Sequence, residues 1–424
     1  MIKVITYGTY DMLHYGHIRL LERAKALGDY LIVGITSDGY DKTRGKINLQ
    51  QSLMERVEAV KATGIADEII IEEYEGQKID DIRRHNVDIF TVGSDWVGYF
   101  DYLNEYCKVV YLPRTEGVSS SEIRAEKRKL IIGTIGNGII CDKFIHEMQY
   151  VNGVEYQKSD RSLDGVDAVY VASHPRDHYK DVKRALEAGK HVICESPITL
   201  DVEQYKELNA LAREKQLILT DAIKTAYSTA YSRLLVLAKS GKIGDIISVD
   251  SVCTSLIDGA GEEFADLSRK QNSICAWGPT AMLPVFQLLG TEYRSKTIVS
   301  KIINEDLNYD GFTKIDFIYE NAVASVKIAK AAKSEGELII TGTKGYIYVP
   351  APWWKTDYFE VRFENATDNK RYFYQLDGEG IRYEIVAFAK AVESRNDNFY
   401  INDKTSSEII KIIDSFCKGK IIKI

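Results

Sequence analysis

The 424-residue chain contains no apolar run of about 18 residues, so no helix long enough to cross a bilayer is expected. No basic stretch followed by an apolar core precedes the first strand-like run at residues 2–7; no secretory leader is therefore expected, and the expected compartment is the cytoplasm. The six cysteines (Cys107, Cys141, Cys194, Cys253, Cys275 and Cys417) are scattered, with neither a CxxC pair nor Cys/His spacing for a metal. Reduced, buried thiols and no protein-built metal site are expected. Positive charge is also short: the formal net charge is −7, which argues against a general nucleic-acid binder while leaving room for a local basic pocket. Internal repeats and low-complexity linkers are absent. What remains is ordinary for a soluble globular protein, 45% hydrophobic and 28% charged. At about 150 residues per domain, the length points to two to four domains.

Two strand–glycine–helix openings divide the sequence. The first runs from Val4 to Gly8 and into an amphipathic helix expected at about 17–27. The second runs through residues 130–138, with Gly136 and Gly138 at its end, into a helix expected at about 139–150. Between them, serines 119–121 followed by charged residues to 129 read as a capped helix. Short β-rich runs at 30–35, 68–71, 88–92 and 109–112 alternate with helical stretches, the pattern of a parallel doubly wound sheet. Residues 154–158, 168–172 and 191–194 continue it in the second unit, with a helix at 179–188. Beyond about 240 the texture changes, and 246–253, 314–319, 322–329, 337–341 and 359–363 read as antiparallel strands.

The strongest local signal is at residues 7–17, where His14 and His17 are separated by Tyr15 and Gly16 at the handover from strand to helix. A helix N-terminus offers unpaired N–H groups and a positive dipole end, which favour phosphate. Imidazoles there can donate to phosphate oxygens as charge builds in a transition state. Gly8 to His17 resembles the HxGH motif of the nucleotidyltransferase superfamily. Residues 111–121, which include Arg114, Thr115, Ser119 and Ser120, resemble the RTEGxS(S/T)(S/T) signature of bacterial glycerol-3-phosphate cytidylyltransferases. Residues 21–25, 92–96 and 100–101 also match, so the likeness covers about 1–128.

The resemblance implies attack of a substrate phosphate oxygen on the α-phosphorus of CTP, with pyrophosphate leaving in line. It places His14 and His17 on the α/β-phosphates, with Gly8, Thr9 and Asp11 beside them, and Arg114, Thr115, Ser119 and Ser120 on the triphosphate. Mg²⁺ would bridge the phosphates. Lys42, Arg44 and Lys46 form a basic loop that either reaches a phosphate or is a solvated charge run. Asp95, Trp96 and Phe100 shape the cytosine or glycerol pocket, unless Trp96 is simply core. One departure stands out: Thr63, Gly64, Ile65 and Ala66 precede Asp67 and Glu68 where the family has an arginine.

In the second unit Gly136, Gly138, Ile139 and Cys141 form G-x-G-x-x-C, with cysteine where close helix–strand packing takes glycine or alanine. Asp160, 24 positions after Gly136, suits a ribose hydroxyl, whereas Ser159 and Arg161 beside it suit a 2′-phosphate; NAD and NADP both remain open. Residues 167–172 through 186–195, which end on Glu195, resemble the glucose–fructose oxidoreductase/inositol dehydrogenase family, and the likeness extends over about 129–424. Ser173 follows the strand at 168–172 and is a further candidate for the cofactor; His174 and His178 either line the cleft or pack in a loop.

The departures are large. Ser196 stands where the family carries its catalytic lysine, and residues 276–284 lack the family's carboxylate and imidazole. The segment after Asp160 leaves almost no room for a Rossmann helix. Lys224, after a strand end at 217–219, is the candidate replacement acid, with Tyr227 second; the plain alternative is a surface lysine.

The expectation is therefore an α/β protein with three domains. A Rossmann-like HxGH nucleotidyltransferase domain spans 1–128, a truncated NAD(P)-binding Rossmann domain 129–240, and an α+β domain with a largely antiparallel open sheet 241–424. CTP and a polyol phosphate are the expected substrates, and a homodimer or larger homo-oligomer the expected assembly. The second activity is expected on a ketose phosphate or CDP-ketose, supplying a surface polymer such as teichoic acid or capsule. The alternative is a cytidylyltransferase carrying an inactive scaffold.

Overall fold

The computed structural model describes residues 1–424 except 39–48, 75, 114–128, 159–162, 257–266, 268–269, 356–357, 375 and 396–400. The chain forms two compact units, Met1–Lys129 and Leu130–Ile424.

The first unit is built on five parallel strands: β1 (Lys3–Gly8), β2 (Tyr30–Thr36), β3 (Glu68–Glu72), β4 (Ile89–Gly93) and β5 (Lys108–Leu112), in the order β3-β2-β1-β4-β5. Successive side chains of a strand face opposite ways, and both faces here are apolar. Val4, Leu31, Val33 and Ile35 pack with Leu21 and Ala24 of α1 (Tyr15–Lys25) and Val60 of α2 (Leu53–Ala62). Ile5, Ile32 and Phe90 pack on the other face with Ile82 of α3 (Gln77–His85) and Leu103. Helix α2 opens with a capping box in which Ser52 and Glu55 bond reciprocally.

In the second unit, β6 (Leu130–Gly136), β7 (Val154–Tyr156), β8 (Ala168–Ala172), β9 (His191–Glu195) and β10 (Leu219–Ala222) form another all-parallel sheet, ordered β10-β9-β8-β6-β7. Its helices are α4 (Ile139–Met148), α5 (Pro175–Glu187) and α6 (Val202–Glu214). Among the described residues no helix separates β7 from β8, in keeping with a truncated Rossmann layer. α7 (Thr229–Lys239) leads to a nine-stranded sheet of β11 (Ile246–Thr254), β12 (Ser295–Asn304), β13 (Tyr309–Ile318), β14 (Val323–Ala329), β15 (Leu338–Gly342), β16 (Tyr346–Val349), β17 (Tyr358–Arg362), β18 (Lys370–Phe373) and β19 (Ile422–Lys423). Helix α8 (Ser273–Leu289) covers β11, β13 and β14, while α9 (Ile381–Ser394) and α10 (Asp403–Cys417) return to α4 and α6.

The nine-stranded sheet is largely antiparallel, as expected, with two parallel pairs, β11 with β14 and β12 with β19. Some element boundaries need correction. Helix α1 starts at Tyr15 rather than near 17 because the His14 side chain caps it. Helix α5 starts at Pro175 rather than 179, since His174 caps it and proline fits its first turn. Strand β10 lies at 219–222 rather than 217–219.

Candidate functional site

In the first sheet the strand order reverses between β1 and β4, and ligands of open α/β sheets gather beyond the strand carboxyl ends at such a point. His14 and His17 follow β1, and Asp95 and Trp96 follow β4 in a single 3-10 turn, Ser94–Trp96. β5 runs parallel and delivers the chain to the same edge at Pro113, whose carbonyl accepts from Arg23 at 2.7 Å. Arg114, Thr115, Ser119 and Ser120, together with Lys42, Arg44 and Lys46, lie outside the described residues.

The turn from β1 into α1 is tightly determined. A Cβ on Gly8 would stand 2.8 Å from the Tyr10 ring, so only glycine fits. Tyr10 and Met12 both adopt left-handed backbone, with φ 54° and 51°. Asp11 is buried, and its carboxylate accepts from the N–H groups of Gln50 and Gln51 at 3.0 Å each, fastening this turn to the entrance of α2. The Gly16 N–H donates to His14 Nδ1 at 3.1 Å. A neutral ring accepting at Nδ1 carries its proton on Nε2, leaving that nitrogen a donor. The His14 and His17 rings stack with centroids 3.9 Å apart, and Tyr10 meets His17 edge-on at 5.5 Å. Two imidazoles are thus side by side at the N-terminus of α1. Trp96 is 36% exposed and leans on Phe100 and Tyr99, so it is a surface ring rather than core.

Two features here escaped the sequence reading. Arg56 of α2 is fully buried and donates to the carbonyls of Thr9 and Thr36 at 2.7 and 2.9 Å, while also pairing with Asp38. It ties the carboxyl ends of β1 and β2 together; the sequence offers only its spacing, four residues before Val60 on the buried helix face. Lys78 of α3 forms a buried pair with Glu72 at the end of β3, and its Nζ lies 4.7 Å from the Tyr7 ring centroid. Tyr7 in turn donates to the buried Asp81 at 2.9 Å.

In the second unit the order reverses between β6 and β8. Gly136 ends β6 there with φ 109°, and a Cβ on it would come within 2.5 Å of the Ala172 carbonyl. Gly138, with φ 103°, precedes α4, whose first residue Ile139 is 78% exposed. This is a glycine turn opening a helix N-terminus to solvent, the cradle a dinucleotide pyrophosphate needs. Ser173 follows β8 and donates to Asp181 at 2.7 Å. Asp160 lies outside the described residues. His178 is buried in a loop contact, its ring nitrogens each 2.8 Å from the carbonyls of Pro197 and Ser173, so it packs rather than lines the cleft.

At the end of β9, Glu195 accepts from the Tyr170 hydroxyl, and Tyr170 stacks on Phe144 of α4 with centroids 3.8 Å apart. Burial raises the Glu195 carboxyl to about 7, against the opposing pull of Tyr170 and Lys224. Glu384 of α9 lies below, 1% exposed, its Oε2 without a partner among the described residues; burial and the nearby Glu195 push it well up. Ser196, in the place of the family lysine, donates to the buried Asp221. Lys224 is not a free surface lysine. It sits on the 3-10 turn Lys224–Tyr227 just past β10, its side chain 22% exposed, and bonds Glu379 at 2.8 Å. The Tyr227 hydroxyl is buried, donating to the Asp221 carbonyl at 3.3 Å.

Residues 5–126 match the cytidylyltransferase-like family model, and residues 132–222 match that of the oxidoreductase family with an NAD-binding Rossmann fold. A glycerol-3-phosphate cytidylyltransferase of Bacillus spizizenii is 48% identical over 130 residues, covering 31% of this chain and 100% of that one. A D-xylose 1-dehydrogenase (NADP(+)) of Hypocrea jecorina is 35% identical over 126 residues, 29% of this chain but only 32% of its own length. In fold alone, a 3-ketoreductase from Actinomadura kijaniata, crystallised with NADP and TDP-benzene, superposes with a TM-score of 0.57 at 18% identity, over 70% of this chain and 99% of that one. The N-terminal unit therefore belongs to the cytidylyltransferase-like family, with the glycerol-3-phosphate cytidylyltransferases matched along their whole length, and the chain is a nucleotidyltransferase joined to an oxidoreductase-like unit.

Proposed function

We propose that the first unit transfers CMP from CTP to glycerol 3-phosphate or a related alditol phosphate, giving CDP-glycerol or its analogue and pyrophosphate. The stacked pair of His14 and His17 at the N-terminus of α1 carries this reading. The substrate's phosphate oxygen forms a bond to the α-phosphorus as the bond to pyrophosphate breaks, and donors on the two imidazoles stabilise the growing negative charge. Arg114, Thr115, Ser119 and Ser120 would hold the triphosphate, Lys42, Arg44 and Lys46 a phosphate, and Asp95 with Trp96 the cytosine or polyol. Mg²⁺ would enter with the triphosphate, whose phosphate oxygens are the hard ligands it takes. The test is pyrophosphate release from CTP with a panel of glycerol, ribitol and arabinitol phosphates; no release with any of them would refute the reading.

For the second unit the same proposal assigns reduction of a ketose phosphate or CDP-ketose. NAD or NADP would be held by Gly136, Gly138, Ile139, Ser173 and Asp160, with Glu195 beside it, and its reduced form, when bound, would supply the hydride. Lys224 gives its proton to the carbonyl oxygen; Tyr227, whose hydroxyl is buried, is second to it. One observation favours an inactive scaffold instead: the lysine position is taken by Ser196, already bonded to Asp221. Incubation with NADH or NADPH and dihydroxyacetone phosphate, other ketose phosphates or CDP-ketoses decides between them. Loss of the reduced-nicotinamide absorbance supports the reductase, while no loss and no calorimetric cofactor binding leaves the scaffold. A CDP-alditol suits a surface polymer such as teichoic acid or capsule, and we place the protein, as a homo-oligomer of the cytoplasm, in its supply.

A further inference from the structure

Three lysines from distant parts of the second unit converge on one carboxylate. Lys143 of α4 and Lys355 of the turn Trp353–Lys355 each reach Glu379 Oε1 at 3.0 Å, and Lys224 reaches Oε2 at 2.8 Å. Their side chains are 44%, 38% and 22% exposed, so the cluster opens to solvent. Among the described residues the three ammonium groups share a single carboxylate, two positive charges in excess, on a protein whose net charge is −7. Glu384 and Glu195, which act on Lys224 from the interior, are both pushed up by burial, which disfavours the charged forms that would supply the missing anions.

A fold-stabilising role explains this poorly. Exposed ion pairs contribute little, and one lysine would satisfy the glutamate. The glutamate itself is held at a cost, since Glu379 has φ 53° between Gly378 at 56° and Gly380 at 93°, three successive left-handed residues. A Cβ on Gly380 would meet the Lys224 carbonyl at 3.0 Å, so this loop is pressed directly against the lysine turn. The cluster also has a functional address. Lys143 stands on the helix that opens at the glycine turn, and Lys224 follows the carboxyl end of β10, on the sheet edge where α/β folds take ligands.

We propose that Lys143 and Lys355 form the phosphoryl-binding subsite of the second unit, beside the proton donor Lys224, and that Glu379 occupies it in the absence of ligand as an exchangeable internal anion. The carboxylate's two oxygens stand in for phosphoryl oxygens, and a dianionic phosphate would displace it and restore charge balance. This deepens the ketose-phosphate reading and rests on it for the identity of the substrate, though not for the binding itself.

The test uses the full chain carrying His14→Ala and His17→Ala, to weaken the triphosphate cradle of the first unit. It is titrated calorimetrically, without nicotinamide, with inorganic phosphate, dihydroxyacetone phosphate and dihydroxyacetone. Phosphate and dihydroxyacetone phosphate should bind and dihydroxyacetone should not. Lys143→Ala with Lys355→Ala should weaken binding at least ~10-fold, as expected for charge-assisted hydrogen bonds. Glu379→Gln should tighten it by roughly 3-fold or more, a direction that a merely structural glutamate would not produce. The proposal is overturned if the lysine variants bind phosphate as before, if Glu379→Gln weakens binding, or if NADPH affinity falls in the same proportion, which would assign the lysines to the cofactor. Phosphate binding that depends on the lysines, with no ketone consuming NAD(P)H, sinks the reductase and keeps the subsite. Equal kcat/KM for phosphorylated and plain ketones keeps the reductase and sinks the subsite.

Discussion

Replacing Glu195 by glutamine should flatten the pH dependence of the second unit's stability. Burial raises this carboxyl from 4.5 to about 7 in the folded chain. Between those values the folded state holds a proton that the unfolded chain has released, so stability falls as pH rises through the window and the loss is complete above the upper value. At ~1.4 kcal/mol per pH unit, Glu195 alone removes about 3 kcal/mol between pH 4.5 and 7. Glutamine keeps an oxygen to accept from Tyr170 but cannot titrate, so the variant should match wild type near pH 5 and exceed it by about 3 kcal/mol near pH 8. Asp221 and Glu384 are also raised and preserve part of the slope in both proteins. Urea unfolding in a Trp96→Phe background reads this unit alone, because the other tryptophans, Trp277, Trp353 and Trp354, all lie within it. Identical pH slopes for Glu195→Gln and its parent would refute the argument.

His14→Ala or His17→Ala should lower kcat for pyrophosphate release at least ~100-fold; wild-type turnover would remove the imidazoles from the mechanism. Arg56→Met strands the buried Thr9 and Thr36 carbonyls and should cost the first unit about 3 kcal/mol. Trp96 fluorescence during urea unfolding, with Trp277, Trp353 and Trp354 replaced by phenylalanine, measures that, and a change within ~0.5 kcal/mol would contradict the tie between β1 and β2. Gly136→Ala places a methyl group against the Ala172 carbonyl at a φ of 109°, so calorimetry should find no NADH or NADPH binding, and unaltered affinity would move the cofactor elsewhere.

Local chemistry was legible in the sequence, and long-range pairing was not. The helix-start histidines, the glycine turn at 136–138 and the parallel sheets followed from strand–turn–helix order, which is a short-range signal. The parallel pairing of β11 with β14 did not, because apolar alternation is the same for either strand direction. Arg56 is not marked by any motif, since nothing local says that two strand ends will close over its guanidinium. The Glu379 cluster draws on residues 143, 224, 355 and 379, which no motif spacing connects. Lys224 was found by its place after a strand, but its partner came only with the fold.

Helix α10 has a consequence for how the protein is made. Its Ile410 lies in one core with Val169, Val171, Val192 and Cys194, and its Ser406 donates to Asp221 on β10. The nucleotide-binding layer therefore stays unfinished, one wall missing, until α10 has been translated, far downstream of the layer's last strand. A nascent chain stalled at residue 390 would show apolar surface to chaperones although every strand of that layer had already left the ribosome.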